Sequence, residues 1–276
     1  MLLTIDVGNT HTVVGVYRGF DKVEPHAVWR VATSKRDAAD DVRAKLLPLM
    51  AAAGVTAHDV DAAAMASVVP ALTRAWSDAV RELAGVEARL CTAEAASAAG
   101  LFKSAYPNPR EIGADRVADA VAARALFGAP VVVVDFGTAT NIEVVDEDGS
   151  FLGGIIAPGV ETSASALFSH ATRLSTIDLA APPAAVGKST EEAVQAGIVL
   201  GEADRVDGLV RRIFAELGRT CPVVATGGLS ALVAAHSSEI TEVLPELTLE
   251  GLRLLATSLA SRALGALNVE TACQAR

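Results

Sequence analysis

The 276-residue chain is poor in aromatic side chains, which make up 4% of it. Stacking platforms for single-stranded nucleic acid need several on one surface, so that class of partner is not expected. Basic residues are outnumbered, 23 Lys and Arg against 33 Asp and Glu, for a net charge of −10. A phosphate-backbone partner requires clustered cations, so no nucleic acid is expected. The three cysteines, Cys91, Cys221 and Cys273, form no CxxC pair and read as plain thiols of a reducing compartment. No basic segment precedes an apolar run at the N-terminus, where Asp6 comes early, so no signal peptide is expected. The longest apolar runs, such as "VVVV" before Asp135, are far too short to span a bilayer. These absences point to a soluble, cytoplasmic protein with no membrane partner. His11, His58, His170 and His236 show no metal-ligand spacing, and Lys188 lacks the Gly-rich run of a P-loop.

Half of the residues, 51%, are apolar, though much of that is Ala, and the length suits one large or two ordinary domains. The pattern predicts strands over 2–7 and 12–18, a helix over 36–53 and a buried strand over 61–69. Pro70 then starts a helix in which Leu72, Trp76, Ala79 and Leu83 keep the 3.6-residue period up to Gly85. "EARLCT" reads as a strand, "AYPNPREIG" (105–113) as a loop, and 112–127 as a helix closed by Gly128 and Pro130. Strands over 131–146 and in "SFLGGII" precede a helix near 160–171 and an irregular stretch at Pro182 and Pro183. A long helix from Thr190, a strand over 222–226, a helix from Leu229 and a terminal helix over about 248–266 complete the chain.

Two stretches repeat. "LLTIDVGNTHTVVGVY" (2–17) and "VVVVDFGTATNIEVVD" (131–146) each run from an apolar strand through Asp-x-Gly and small residues into a second strand. Asp6-Val7-Gly8-Asn9-Thr10 aligns with Asp135-Phe136-Gly137-Thr138-Ala139, 129 positions on. The repeat predicts two similar α/β halves, 1–128 and 129–276, packed around a shared cleft. Small turn residues let backbone N–H groups approach phosphate oxygens, and Asn9, Thr10 and Thr138 add side-chain donors. A carboxylate repels phosphate unless a cation intervenes, so paired acids at paired turns suggest a nucleotide with Mg²⁺ held through water. Either Asp alone reads better as a turn cap, and it is the duplicated pair that reverses the balance.

The two hairpins and "TGG" (226–228) resemble the phosphate-1, phosphate-2 and adenosine motifs of the superfamily of sugar kinases, heat-shock chaperones and actin. Within it, "DVGNTHT" (6–12), "YPNPREIGADR" (106–116), "DFGTAT" (135–140) and "GGIIAPG" (153–159) resemble type III pantothenate kinases, in order along the whole chain. Asn141 departs from that pattern, where another Thr is expected. The resemblance implies a duplicated actin-like (ribonuclease H-like) fold and ATP-dependent phosphorylation of the pantothenate primary hydroxyl, the first step towards coenzyme A. It places Asp6, Val7, Gly8, Asn9, Thr10, His11, Thr12, Val13 and Thr138 at ATP and its phosphates. Tyr106, Gly113, Ala114, Asp115, Arg116 and Thr190 fall at pantothenate, with Asp115 as catalytic base.

It also implies a monovalent cation, K⁺ or NH₄⁺, at Asp135, and a homodimer with the helix from Thr190 as candidate interface. The bland readings stand beside these roles. Asp115 also suits helix N-terminal stabilisation, where the dipole would favour its ionised form and make it a weak base. Arg116 suits either the pantothenate carboxylate or an ion pair with Glu111 or Asp119, and Asp119 reads as solvated or paired with Arg116. Tyr106 is either a pocket wall or an ordinary half-buried aromatic. Ser189-x-x-Glu192 marks a capping box that starts a helix at Thr190, and Asp135 alternatively only orients Mg²⁺-bound water. The rival functions are another small-molecule kinase of the superfamily, and a non-catalytic transcriptional accessory protein.

Overall fold

The computed structural model describes residues 1–170 and 177–274, with side chains up to residue 260. Position 171, the expected end of one helix, and the side chain of Cys273 lie outside the described residues. The elements run β1 (Leu2–Val7), β2 (His11–Tyr17), β3 (Ala27–Ala32), α1 (Ala39–Ala52), β4 (Ala62–Ser67), α2 (Pro70–Ala84), β5 (Ala88–Leu90), α3 (Ala93–Ala98), β6 (Lys103–Ser104) and α4 (Ala114–Phe127). They continue as β7 (Val131–Phe136), β8 (Ala139–Val145), β9 (Ser150–Pro158), α5 (Val160–His170), α6 (Thr190–Gln195), a π-helical turn (Ala196–Leu200), α7 (Gly201–Leu217), β10 (Val223–Thr226), α8 (Ser230–Ala234), β11 (Glu242–Val243) and α9 (Leu247–Gln274).

The chain divides into two compact units. One comprises Met1–Lys103, Pro107–Ala122 and the segment from Thr248; the other comprises Ser104–Tyr106 and Ala123–Leu247. Sheet order is β3-β2-β1-β4-β5 in the first and β11-β10-β7-β8-β9-β6 in the second. In each, an antiparallel hairpin carries the Asp-x-Gly turn (β1–β2, β7–β8), a third strand extends the meander (β3, β9), and two parallel strands follow on the other side (β4 and β5, β10 and β11). The duplication visible in residues 2–17 and 131–146 is therefore a duplication of topology.

Alternation along the strands assigns the faces. Leu3, Ile5 and Val7 of β1 pack with Val42 and Leu46 of α1 and Leu72 and Trp76 of α2. In the second unit Val132, Val134 and Phe136 of β7 pack with Val206 and Val210 of α7. Period-two pleating therefore turns Asp6 and Asp135 to the sheet face opposite these cores. On that face of the first unit, α9 comes close enough that a Cβ on Gly15 would meet Leu249 Cδ1 at 2.9 Å. Helix α2 begins with Pro70 and ends on Gly85 at φ 72°, as its sequence predicts.

Four elements were not expected, the two-residue β6 among them. Strand β3 is mostly half-exposed, α3 is a six-residue Ala-rich turn capped by Thr92, whose Oγ1 accepts from Ala95 N at 3.0 Å, and β11 has two residues. Helix α9 runs to Gln274 rather than 266. Among the described residues, no helix is long and apolar enough to cross a membrane.

Candidate active site

The first turn is built on Gly8. Its N–H donates to His11 O at 3.1 Å, and a Cβ there would sit 2.7 Å from that same oxygen, closer than a side chain permits. Asn9 and Thr10 are exposed at the tip, while Asp6, Gly8, His11 and Val13 are half-buried. Val7 is buried in the core. Thr12 is likewise buried, and its Oγ1 lies 2.9 Å from Thr33 Oγ1. Of the eight residues predicted at the nucleotide in this turn, Asn9 and Thr10 therefore present the most exposed side chains. Asp6 pairs across the hairpin with Val13 and Asp135 with Asn141, so the first turn is one residue longer than its counterpart.

The same unit holds the start of α4. Val68 N–H donates to Val7 O at 3.1 Å, and Val68 Cγ1 lies 3.7 Å from where a Cβ on Gly113 would stand. Gly113 therefore sits beside the end of β1. Asp115 Oδ1 accepts from Arg116 N at 2.8 Å. Burial raises the Asp115 pKa above its ordinary value and outweighs the opposing pull of the Arg116 N–H and guanidinium. The expected weak base is thus corrected: desolvation, which a dipole argument does not include, makes it a stronger one. Arg116 is 7% exposed. Asp119 is not solvated as one reading had it; it is 1% exposed and accepts from Thr248 Oγ1 at 2.7 Å.

Cys91 lies beside the start of α4. Its thiol donates to Ala114 O at 3.5 Å. Its pKa is pushed up to about 12, first by burial and then by the charges of Asp115, Asp119 and Asp6.

In the second unit the turn at Gly137 and Thr138 is exposed, and Gly137 N–H donates to Ala139 O at 3.0 Å. Residues outside the predicted set close around it. Thr138 O accepts from Gly159 N at 3.2 Å and from Thr162 Oγ1 at 2.6 Å. A Cβ on Gly159 would collide with Gly137 O, and one on Gly227 (φ 88°) with Asp135 Oδ1 and Phe136 O. The "TGG" glycine is therefore pressed onto the Asp135 turn. The glycine-rich spelling of both segments was the available signal, but only the fold pairs them with this turn.

Tyr106 packs on Phe151, ring centroids 5.9 Å apart and tilted 54°. A Cβ on Gly153 (φ 136°) would stand 3.0 Å from Tyr106 Cε2. Thr190 is exposed at the start of α6. There Ser189 Oγ accepts from Glu192 N at 3.1 Å and Glu192 Oε2 accepts from Lys188 N at 2.6 Å, which is the predicted cap displaced by one residue. A cavity of about 420 Å³ beside α7, lined by Val144, Leu152, Leu209 and Arg212 among others, includes no predicted site residue. Among the described residues, no three His, Cys, Asp or Glu side chains are grouped to hold a metal.

Comparison with known proteins gives one answer. The type III pantothenate kinase family matches residues 2–212. The type III pantothenate kinase of Roseiflexus sp. (strain RS-1) is 44% identical over 92% of this chain and 98% of its own. That of Desulfosudis oleivorans is 42% identical over 94% and 99%. Among solved structures, a Campylobacter jejuni protein assigned to the Baf family of transcriptional activators superposes with TM-score 0.59 at 17% identity, over 94% of this chain and 99% of that one. The inorganic polyphosphate/ATP-glucomannokinase of Arthrobacter sp. strain KM gives 0.51 at 13%, over 94% and 98%. At such identities the structures establish the fold alone, the actin-like fold of sugar kinases. The sequence match goes further: this chain belongs to the type III pantothenate kinase family.

Proposed function

We propose that Asp115, Arg116 and the two Asp-x-Gly turns carry out the reaction that family membership gives this chain: ATP-dependent phosphorylation of pantothenate to 4'-phosphopantothenate, in coenzyme A biosynthesis. The observation that carries the assignment is the burial-raised Asp115 carboxylate at the start of α4. Phosphoryl transfer passes through a loose transition state and needs chiefly a positioned hydroxyl, an acceptor for its proton and neutralised phosphate charge. Asp115 orients the pantothenate hydroxyl and takes its proton, and desolvation brings its pKa closer to the working pH. Arg116 binds the pantothenate carboxylate through two parallel N–H donors. Gly113 and Ala114 bring backbone to the substrate, Tyr106 walls the pocket, and Thr190 reaches it across a homodimer interface formed at α6.

In the first unit, residues 6–13 take ATP phosphate through backbone N–H groups, Asn9 and Thr10; in the second unit, Thr138 is the proposed phosphate donor. Each turn supplies one carboxylate, a donor set that suits Mg²⁺ carried by the nucleotide and held by Asp6 through water, rather than a protein cage. Asp135 Oδ1 and Phe136 O converge where Gly227 leaves no Cβ; such hard oxygens suit K⁺ or NH₄⁺. These cations supply neutralisation of phosphate charge. The reaction is placed in the cytoplasm, without nucleic acid or membrane.

An acceptor panel with coupled ADP release tests the proposal. Pantothenate, and not sugars or acetate, should support turnover, and replacing K⁺ and NH₄⁺ by a bulky organic cation should lower it. Asp115→Asn should reduce kcat about 10²-fold or more. No pantothenate-dependent ADP release would refute the function, and full activity of Asp115→Asn would refute only the base.

A further inference from the structure

The turn at Gly137 and Thr138 is exposed, yet β8, which leaves it, and β9, paired beside β8, are tied through one buried carboxylate and its arginine partner. Glu202 stands in the first turn of α7 and is 4% exposed. Its Oε1 accepts from Thr140 Oγ1 at 2.6 Å; Thr140 is 1% exposed, two positions past Thr138 on β8. Its Oε2 pairs with Arg205 Nη2 at 2.5 Å. That same nitrogen donates to Pro158 O at 2.7 Å, at the end of β9 and in register with Ala139.

Stability alone gives little reason for this arrangement. A carboxylate and a hydroxyl are costly to bury, and a packed apolar pair of similar volume would hold strand to helix as well. What an apolar pair lacks is direction. The two polar contacts grip β8 and β9 at the residues bordering the turn, where Gly159 N and Thr162 Oγ1 already hold Thr138 O. Through the π-helical turn, α7 is also continuous with α6, whose first residue is Thr190.

We infer that Glu202 is a positioning residue for the nucleotide-phosphate turn. Acting through Thr140, and through Arg205 and Pro158, it sets the spacing of β8 and β9 beside Thr138 and ties that turn to the helix that begins at Thr190. The inference rests on the reading of Thr138 as a nucleotide contact, and it assigns Glu202 no contact with substrate.

Steady-state kinetics of Glu202→Gln, Thr140→Val, Thr140→Ser and Thr138→Ala test it, each at a temperature where circular dichroism reports the folded state. Thr140→Val is isosteric and keeps the test open if Glu202→Gln does not fold. Both variants should raise the KM for ATP about tenfold and leave the pantothenate KM within about twofold, and combining them should add little to either alone. Thr140→Ser, which restores the hydroxyl, should return the ATP KM to the wild-type value. If Thr138→Ala raises the ATP KM while Thr140→Val lowers only the melting temperature, the inference is overturned and the nucleotide reading survives. If Thr138→Ala leaves the ATP KM unchanged, both are overturned.

Discussion

A Cβ placed on Gly113 would stand 2.5 Å from Asp115 Oδ1. The glycine that precedes α4 therefore keeps open the space occupied by the carboxylate two residues on. No positive φ is required there, so Ala is compatible with the backbone, and the flexible end of Asp115 gives way instead. Gly113→Ala should lower kcat about tenfold or more, as misplacement of a catalytic group does, while moving the melting temperature little. An unchanged kcat, or unfolding, would show that Gly113 serves something else.

With Asp115 as the proposed base, the acidic limb of kcat/KM against pH should lie above the usual carboxylate range, because burial raises the Asp115 pKa and a base acts in its ionised form. Activity then rises with pH through that raised value. The stability effect has the opposite sign. A carboxyl whose folded pKa exceeds its unfolded pKa favours folding when protonated, and that contribution is lost as pH rises through the folded value. Asp115→Asn should therefore be at least as stable as the wild type at pH 8, though nearly inactive. Thermal melts at pH 5 and pH 8 measure this, and a variant less stable at pH 8 would contradict it.

With its thiol pKa pushed up to about 12, Cys91 holds almost no thiolate at neutral pH and is buried as well. Iodoacetamide at pH 8 should leave Cys91 unmodified in the folded enzyme and label it in guanidinium, as peptide mass mapping would show. Labelling of the native protein at the rate of a free thiol would place the cysteine, and the acids around it, wrongly.

Gly153 combines φ 136° with a virtual Cβ 3.0 Å from the Tyr106 ring. Gly153→Ala strains the backbone and pushes the ring away. It should raise the KM for pantothenate several-fold and leave that for ATP unchanged, whereas an equal effect on both would remove Tyr106 from the substrate pocket.

The hairpins, α2 and the three-strand meander from β7 were legible because each is set by local pattern: an apolar run, a turn residue, a period. Strand β3 was not, because its sequence AVWRVA is apolar at nearly every position and shows no period-two alternation to mark a strand. Helix α3 was not, because it is six residues long and its buried face, Ala93 and Ala96, is too small to stand out as apolar. At the site, Asp6, Asp115 and Asp135 stood out by repeat and motif. The burial of Asp119 depends on Thr248, 129 residues away. The raised pKa of Asp115 depends on what covers it, and the pressing of Gly227 onto Asp135 on a crossover between strands. Non-local terms of this kind carry no sequence spacing.

A crystal structure with pantothenate and a non-hydrolysable ATP analogue tests the central claim most directly. Asp115 should lie about 2.6–3.2 Å from the primary hydroxyl of pantothenate, with that hydroxyl facing the γ-phosphate. A hydroxyl out of reach of Asp115, or one turned away from the γ-phosphate, would contradict the account.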